Sequence, residues 1–195
     1  TDQVPERAVK SGAIDRYGFV DPTDRGQTHR LALAAEWRRS TSAGLTVARG
    51  YALDYGLDLY SNFTYFLDDP ERGDQFEQKD ERRVFGAELS QRFLGRWLGR
   101  EGEAVVGLQG RLDRIPEVAL YHTQALQRLD TIRRDRVDQA SGAFYAQGSL
   151  QWSPRLRSLF GLRGDLYDFD VRSQDPANSG HAQAALASPK LSLIL

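Results

Sequence analysis

The sequence predicts an all-β fold in which about six to seven up-and-down antiparallel strands form a segment of a larger transmembrane β-barrel. Apolar and polar residues alternate with a period of two, the pattern of strands with two different faces. Each repeat has a core of about 9–11 residues, which suits a tilted strand crossing a bilayer, whereas strands of soluble sheets have about 5–6. Short and long connections alternate along the chain, as in outer-membrane barrels.

Composition excludes several other classes of protein. The 195 residues carry 26 basic and 27 acidic side chains, so the net charge of −1 gives no general attraction to nucleic acid. Cysteine is absent, which excludes disulfides, thiol catalysis and cysteine-bound zinc. Methionine is absent as well, and the pattern stops within a strand at Leu195. We therefore expect residues 1–195 to be an internal fragment of one barrel domain.

The alternation defines the strands in chain order. They are predicted at residues 28–38, 44–60, 83–94, 103–115, 142–152, 155–171 and 188–195. In the clearest strand, 44–60, the odd positions form an apolar row that is expected to face lipid. Arg49 interrupts this row, and an arginine at the middle of the bilayer costs about 2–4 kcal/mol. A bulge at Gly50, or snorkelling of the side chain, is expected to relieve that cost.

Three long segments between strands, 61–82, 116–141 and 172–187, are predicted to be extracellular loops. In the second segment Leu126, Leu129 and Ile132 have near-helical spacing, so residues 119–140 form either a loop helix or an extended hairpin. All three tryptophans, Trp37, Trp97 and Trp152, fall at the short-turn ends of the strands. Aromatic rows on either side of an aliphatic band are typical of membrane interfaces. The short turns are what predict that this end is periplasmic.

Charged residues on the row opposite the apolar one are candidates for the lumen wall. They are Asp54, Glu88, Arg111, Asp113, Arg163 and Asp165. Because both signs are mixed along several strands, compensating charges in a hydrated lumen explain them without catalysis, and no enzyme activity is expected. The three histidines are far apart in sequence, and no phosphate-binding or zinc motif is present, so no cofactor or metal centre is expected.

Aromatic residues in the predicted loops are candidates for ligand contact at the barrel mouth, where apolar surface combines with a few polar groups. They are Tyr60, Phe63, Tyr65, Tyr121 and His122. Residues 68–80 also form an acidic loop, for which two interpretations remain open. It is either a calcium site or a solvated charged loop, and its spacing lacks the register of an EF-hand.

Several stretches resemble the barrel of TonB-dependent outer-membrane receptors. They are Arg16–Pro22 (RYGFVDP), Asp58–Pro70 (DLYSNFTYFLDDP), Gly73–Gln78 (GDQFEQ), Arg134–Val137 (RDRV), Gly161–Asp165 (GLRGD), and Asn178–Gly180 ahead of Ser188–Lys190. The resemblance implies a barrel of about 22 strands with a plugged lumen in the outer membrane of a Gram-negative bacterium. It also implies TonB-dependent active uptake of a scarce ligand such as a siderophore, cobalamin or a glycan. The implied partners are membrane lipid, a plug domain of the same chain, and TonB, contacted through a segment before the plug.

Two other functions fit the residues. A passive porin-type or adhesive outer-membrane barrel would lack a plug upstream of the barrel. A soluble β-rich binding protein would dissolve without detergent and would lack the heat-modifiable gel migration of a barrel. The sequence leaves open which ligand is bound and whether this segment folds without the rest of the barrel.

Overall fold

The computed structural model describes residues 4–42 and 44–195, which contain one antiparallel sheet of seven strands. Each strand pairs with its neighbours in sequence, so the sheet order is β1 to β7. The strands are β1 (Arg25–Thr41), β2 (Gly44–Ser61), β3 (Phe76–Trp97), β4 (Arg100–Gln124), β5 (Gln127–Ser153), β6 (Leu156–Ser173) and β7 (Gly180–Ile194). A helix, α1 (Glu6–Lys10), precedes them, and a 3-10 turn, Pro176–Asn178, lies between β6 and β7. The predicted all-β, up-and-down architecture is confirmed.

The strands are longer than predicted at the end of the sheet that carries the β2–β3 and β6–β7 connections, the long-loop end. Strands β4 and β5 run through the segment 116–141 and meet at Ala125 and Leu126, which both have positive φ. The expected loop 116–141 is therefore wrong, and of the two interpretations of 119–140 the structure forms the extended hairpin. The other two connections shrink to 62–75 and 174–179. No helix among the described residues is long and apolar enough to cross a membrane.

Irregular pairing explains the near-helical spacing in this hairpin. Opposite β4, the register of β5 passes over Leu129 and Ile132, so each is an extra residue in the ladder. An extra residue moves the following side chains to the other face, which interrupts the period of two. Another irregularity lies at Pro116, which has no N–H to donate to the ladder.

The register also assigns side chains to two faces of the sheet. Residues directly opposite each other in antiparallel strands point to the same side, so one face can be followed across all strands. The apolar face carries Leu33 and Trp37, Ala48 and Ala52, Phe85 and Leu89, Leu108 and Leu112, Phe144 and Ala146, Leu162 and Leu166, and Ala185 and Leu191. It has no charged residue over 85–93, 104–112 and 140–150. These lengths match the about 9–11 residues that a tilted strand needs to cross a bilayer.

The opposite face, the polar face, contains the odd residues of β2, against expectation. Tyr51 lies opposite Gly86, and Arg49 lies opposite Glu36 on β1 and Glu88 on β3. The lipid-facing orientation predicted for β2 was therefore wrong. The guanidinium group of Arg49 bonds to the carboxylates of Glu36 (2.5 Å) and Glu88 (3.4 Å), so it needs neither a bulge nor snorkelling.

Glycines on the polar face make room for tyrosine rings on the neighbouring strand. A Cβ atom at Gly107 would lie 2.3 Å from the ring of Tyr145, and a Cβ at Gly86 would lie 2.3 Å from the ring of Tyr51. Aromatic side chains that cover a glycine on the adjacent strand help to fix sheet register. The hydroxyl of Tyr145 donates to Oε1 of Glu88 at 2.7 Å, so the ring also connects β5 to β3.

Gly107→Ala is expected to destabilise the barrel by about 1–3 kcal/mol, because the added methyl group displaces the Tyr145 ring from Glu88. Gly110→Ala, on the same strand, is the matched control, since the nearest atom to its Cβ would be 4.0 Å away. Denaturant unfolding of the full-length protein in vesicles measures both variants. Equal stability of the two variants would contradict this packing.

Candidate functional site

Ion pairs between strand residues two positions apart dominate the polar face. Arg111 binds Asp113 through two N–H groups at 2.7 and 2.8 Å. Arg163 binds Asp165 through Nε, which lies 2.9 and 3.0 Å from the two carboxylate oxygens, and its Nη1 donates to Gln109 at 2.7 Å. Residues two apart on a strand share a face, so each pair forms within its own strand. Four of the predicted lumen residues thus lie together on one face.

A shallow cavity of about 350 Å³ lies on this face. Its charged and aromatic lining comprises Arg49, Glu88, Arg111, Arg163, Asp165, Tyr51 and Tyr167. The carboxylate of Glu88 receives bonds from both Tyr145 and Arg49. Each arginine of the cavity therefore has a carboxylate partner, and the wall offers a neutralised polar surface rather than a free catalytic acid or base.

Asp54 does not lie on the polar face, contrary to the prediction. It lies opposite Leu31 on β1 and Arg83 on β3, on the same side as Ala52 and Phe85 and next to them toward the long-loop end. Its carboxylate binds Nε2 of His29 at 2.9 Å and Nε of Arg83 at 3.2 Å. The error follows from the reversed orientation of β2, since the two faces of a strand exchange together.

A buried ion pair joins β3, β4 and β5 at the long-loop end of the sheet. Glu77 is fully buried and receives two N–H groups of Arg128, at 2.5 and 2.6 Å. The guanidinium carbon of Arg128 lies 3.9 Å from the centre of the Tyr121 ring, within range of a cation–π interaction. The hydroxyl of Tyr121 donates to Glu117 at 2.5 Å. This group, the Glu77 cluster, fixes the protruding hairpin to its neighbour.

A second buried contact, centred on Gln75, ties three segments together. Its side-chain amide donates to the hydroxyl of Thr23 at 2.7 Å, before β1. Its side-chain carbonyl accepts from the hydroxyl of Thr123 at 3.1 Å and from the N–H of Leu126 at 3.0 Å. The N-terminal segment, the β2–β3 loop and the tip of the β4–β5 hairpin therefore form one connected unit at the long-loop end.

Acidic residues of the 68–80 segment serve as internal caps. The carboxylate of Asp74 accepts the N–H groups of Leu67 (2.8 Å), Asp68 (3.1 Å) and Asp69 (2.7 Å). Burial opposes ionisation, but these donated bonds hold the pKa of Asp74 below its ordinary value. No group of three or more His, Cys, Asp or Glu residues close enough to hold a metal ion occurs in 4–42 and 44–195.

The predicted ligand-contact residues do not form one site. Tyr121 and His122 were expected on a loop but lie in β4, and Tyr121 is buried in the Glu77 cluster. Nε2 of His122 lies 2.7 Å from the carbonyl oxygen of Gly73, so this ring fastens the hairpin to the β2–β3 loop. Phe63 stays exposed, although its ring centre is 5.5 Å from that of Phe76.

Tyr60 and Tyr65 are both partly buried. Tyr60 is near the end of β2, and Tyr65 has a φ of 62° in the loop that follows. Sequence reasoning missed Gln75, Glu77 and Arg128, the residues that join the strands and loops at the long-loop end. Nothing in the local pattern distinguishes them, because their partners lie about 50 residues away in the chain.

The pKa values of the neighbouring carboxyl groups of Asp58 and Glu77 are shifted in opposite directions. Burial opposes ionisation of Glu77, but the hydrogen bonds and charge of Arg128 hold its pKa below the ordinary value. Burial first, and then the charge of Glu77, raise the pKa of Asp58. The stabilisation from Glu77 is therefore present at neutral pH and lost on acidification, whereas ionised Asp58 destabilises the fold as the pH rises.

Asp58→Asn is expected to slow amide exchange in the β4–β5 hairpin at neutral pH, because a neutral side chain carries no repulsive charge beside Glu77. At acidic pH, where Asp58 is protonated, the variant and the parent should exchange at the same rate. Hydrogen exchange across a pH series checks this. Glu71→Gln, which changes an exposed carboxylate of the β2–β3 loop, is the control. If Asp58→Asn slows amide exchange by the same factor at acidic pH as at neutral pH, the charge argument is contradicted.

Comparison with known proteins agrees with this architecture. The family model described as TonB dependent receptor-like, beta-barrel matches residues 5–195. The solved structure of the ferric citrate transporter FecA in its unliganded form matches with a TM-score of 0.69 and 14% identity. The match covers 96% of this chain and 27% of that one, so the chain spans about a quarter of FecA. No curated protein sequence matches. The chain belongs to the β-barrel family of TonB-dependent receptors.

Proposed function

We propose that this chain forms part of the barrel wall and the extracellular hairpins of a receptor for TonB-dependent uptake across the outer membrane. The observation that carries this is an uncharged apolar face, of bilayer length on β3, β4 and β5, with a charge-paired polar face on the opposite side of the same sheet. The ligand class is a siderophore, cobalamin, a glycan or a similar scarce compound. The chain itself is assigned no enzymatic step.

The polar face supports contact with a plug domain of the same full-length protein. Three arginines on this face are each bound by a carboxylate: Asp113 binds Arg111, Asp165 binds Arg163 and Glu88 binds Arg49. The wall around them is therefore polar without carrying a large net charge. Such a surface can exchange hydrogen bonds with a polar partner without desolvating an unpaired charge. In this proposal TonB acts through a segment that precedes the plug.

Planar-bilayer conductance separates active uptake from a passive pore. The full-length protein is expected to show little conductance, and deletion of its plug is expected to open a large channel. In cells, accumulation of radiolabelled iron chelates, cobalamin or oligosaccharides should require TonB for at least one of these probes. Porin-like conductance of the intact protein, or uptake of every accumulated probe without TonB, would overturn the proposal.

A further inference from the structure

Two basic side chains, Arg157 and Lys190, lie on the polar face near the short-turn ends of β6 and β7. Arg157 belongs to the same row of β6 as Arg163 and Asp165, since residues an even number of positions apart on a strand point to the same side. Lys190 on β7 lies directly opposite Gly161, which is also in that row. Both basic groups therefore point to the polar face and not to the apolar face.

Both side chains line one cavity of about 270 Å³, the basic cavity. It is bounded by β4, β5, β6 and β7, and its lining also includes Gln147. A Cβ atom at Gly161 would lie 3.6 Å from the Cβ of Gln147 and 3.8 Å from the Cβ of Lys190. Because glycine has no side chain there, the space between these two residues remains open.

No carboxylate of the sheet compensates the two basic groups. Glu103 is the one carboxylate in the lining of the basic cavity, and an arginine of β3 already binds it at 3.2 Å. Neither Arg157 nor Lys190 forms an ion pair within the part of the chain that the structure describes. The segments 139–164 and 176–195 contain no Asp or Glu. The basic cavity therefore carries positive charge that these strands leave unbalanced.

A carboxylate that contacts both groups comes most directly from the lumen side. Strands β5 and β7 flank Arg157 and place the neutral residues Gln151 and Ile194 opposite it. A strand that follows β7 would lie beside Lys190, but it would be about 10 Å from β6, two strand spacings of about 4.8 Å. A group above the cavity, in contrast, reaches Arg157 and Lys190 at once.

A polypeptide that packs over this face removes water from both cations. Burying an unpaired charge is costly, whereas a carboxylate with good geometry offsets that cost. The segment that covers the basic cavity is therefore expected to supply negative charge at this point. The paired arginines Arg111 and Arg163 make no such demand on the segment that covers them.

We propose that Arg157 and Lys190 bind the carboxylate of an Asp or Glu side chain of the plug domain, which sits in the basic cavity. An ionised carboxylate has two oxygens and about four acceptor positions, so it can accept from a guanidinium and an ammonium group together. The inference rests on the proposed function, because it requires a plug of the same full-length protein inside the lumen.

Zero-length cross-linking tests this contact in the full-length protein in detergent. A carbodiimide takes up water while a lysine amine and a carboxylate form an amide, and residues 1–195 contain three lysines, Lys10, Lys79 and Lys190. Mass spectrometry is expected to find an amide between Lys190 and an Asp or Glu of the plug. Lys190→Arg keeps the charge without the amine, so this amide should disappear while the conductance of the protein stays low.

Charge reversal provides a second measurement. Arg157→Glu combined with Lys190→Glu is expected to raise the conducting fraction of the full-length protein in planar bilayers about tenfold, because attraction to the plug becomes repulsion. Arg100→Glu combined with Arg155→Glu is the matched control, with the same change in net charge. Both control residues are exposed at the short-turn end and lie outside the basic cavity, so this variant should conduct as the parent does.

Three results would overturn the proposal. They are a Lys190 amide with a barrel residue, such as Glu103 or one in the strand after β7, no Lys190 amide in the parent, and equal conductance of the two double variants. Failure of the proposed function looks different, because the unmodified protein would then conduct like a porin. Heat-modifiable migration checks that each variant folds. If the reversed variant does not fold, Arg157→Gln combined with Lys190→Gln replaces it, with a smaller rise in conductance expected.

Discussion

Phe144→Arg is expected to destabilise the barrel by about 2–4 kcal/mol, the cost of an arginine on the lipid face at mid-membrane depth. Phe144 lies near the middle of the uncharged segment 140–150 of β5, opposite Leu108 on β4. Its side chain is 54% exposed in the sheet, so lipid rather than protein covers the ring in the membrane. Both the charge and the lost apolar contact act in the same direction.

The adjacent residue provides a control on the other face. Ala143 lies opposite Gln109 and Asp165 and lines the cavity of the polar face. Ala143→Arg places the same charge one residue away beside a carboxylate, and its expected cost is below about 1 kcal/mol. Unfolding of both variants from vesicles by denaturant measures the difference. If both variants lower the free energy of unfolding equally, the two faces have the same surroundings and the assignment of faces is contradicted.

Arg128→Ala is expected to weaken the extracellular hairpin by about 3 kcal/mol, because it leaves Glu77 buried without a cationic partner. Glu77 has no solvent contact, whereas the Arg128 side chain is 43% exposed. Glu77→Ala should cost less, about 1–2 kcal/mol, since Arg128 can then turn to water. The ion pair is thus expected to be asymmetric, with removal of the arginine the more damaging change.

Native-state hydrogen exchange reports this cost locally. Amides of β4 and β5 beyond Pro116 should exchange faster in Arg128→Ala, and those of the membrane-spanning segments should not change. Exposed Arg96, whose guanidinium bonds only to the carbonyl of Gly99 among the described residues, supplies a matched control as Arg96→Ala. A larger effect from Glu77→Ala than from Arg128→Ala would contradict the burial argument.

The sequence predicted the number and order of the strands but not their full length, because alternation depends only on neighbouring residues. On five of the six complete strands the more apolar row is also the row on the apolar face, as for Phe85 and Leu89 on β3. The period of two also placed Arg163 and Asp165 on the same face, where the structure pairs them. These features are local, so a single strand is enough to reveal them.

Strand β2 shows where local reasoning fails. Its odd row is rich in leucine and tyrosine, but its even row is alanine and glycine over residues 48–52, which are also compatible with lipid. Pairing with β1 and β3 decides the orientation, and that pairing is not visible in the hydrophobicity of β2 alone. Arg49 was the signal that the assignment was reversed, because it was the only charge in the supposed lipid-facing row.

The extracellular hairpin shows a second limit. The extra residues Leu129 and Ile132 interrupt the alternation of apolar and polar side chains. The sequence pattern therefore predicted a loop there instead of two strands. The contacts that hold it, such as Arg128 with Glu77, join residues 51 apart in the chain. Long-range contacts of this kind follow from the register of the sheet, which the sequence pattern did not determine.

Lipid and water accessibility of adjacent residues on β2 tests the central claim most directly, namely that register sets the faces of this sheet. Single cysteines at Tyr51 and Ala52 in the otherwise cysteine-free chain, within the full-length protein in vesicles, would carry nitroxide labels. Oxygen, which dissolves in lipid, should relax the label at 52 more strongly. A water-soluble nickel complex should relax the label at 51. The reverse pattern would contradict the account, because Tyr51 would then face lipid and Arg49 with it.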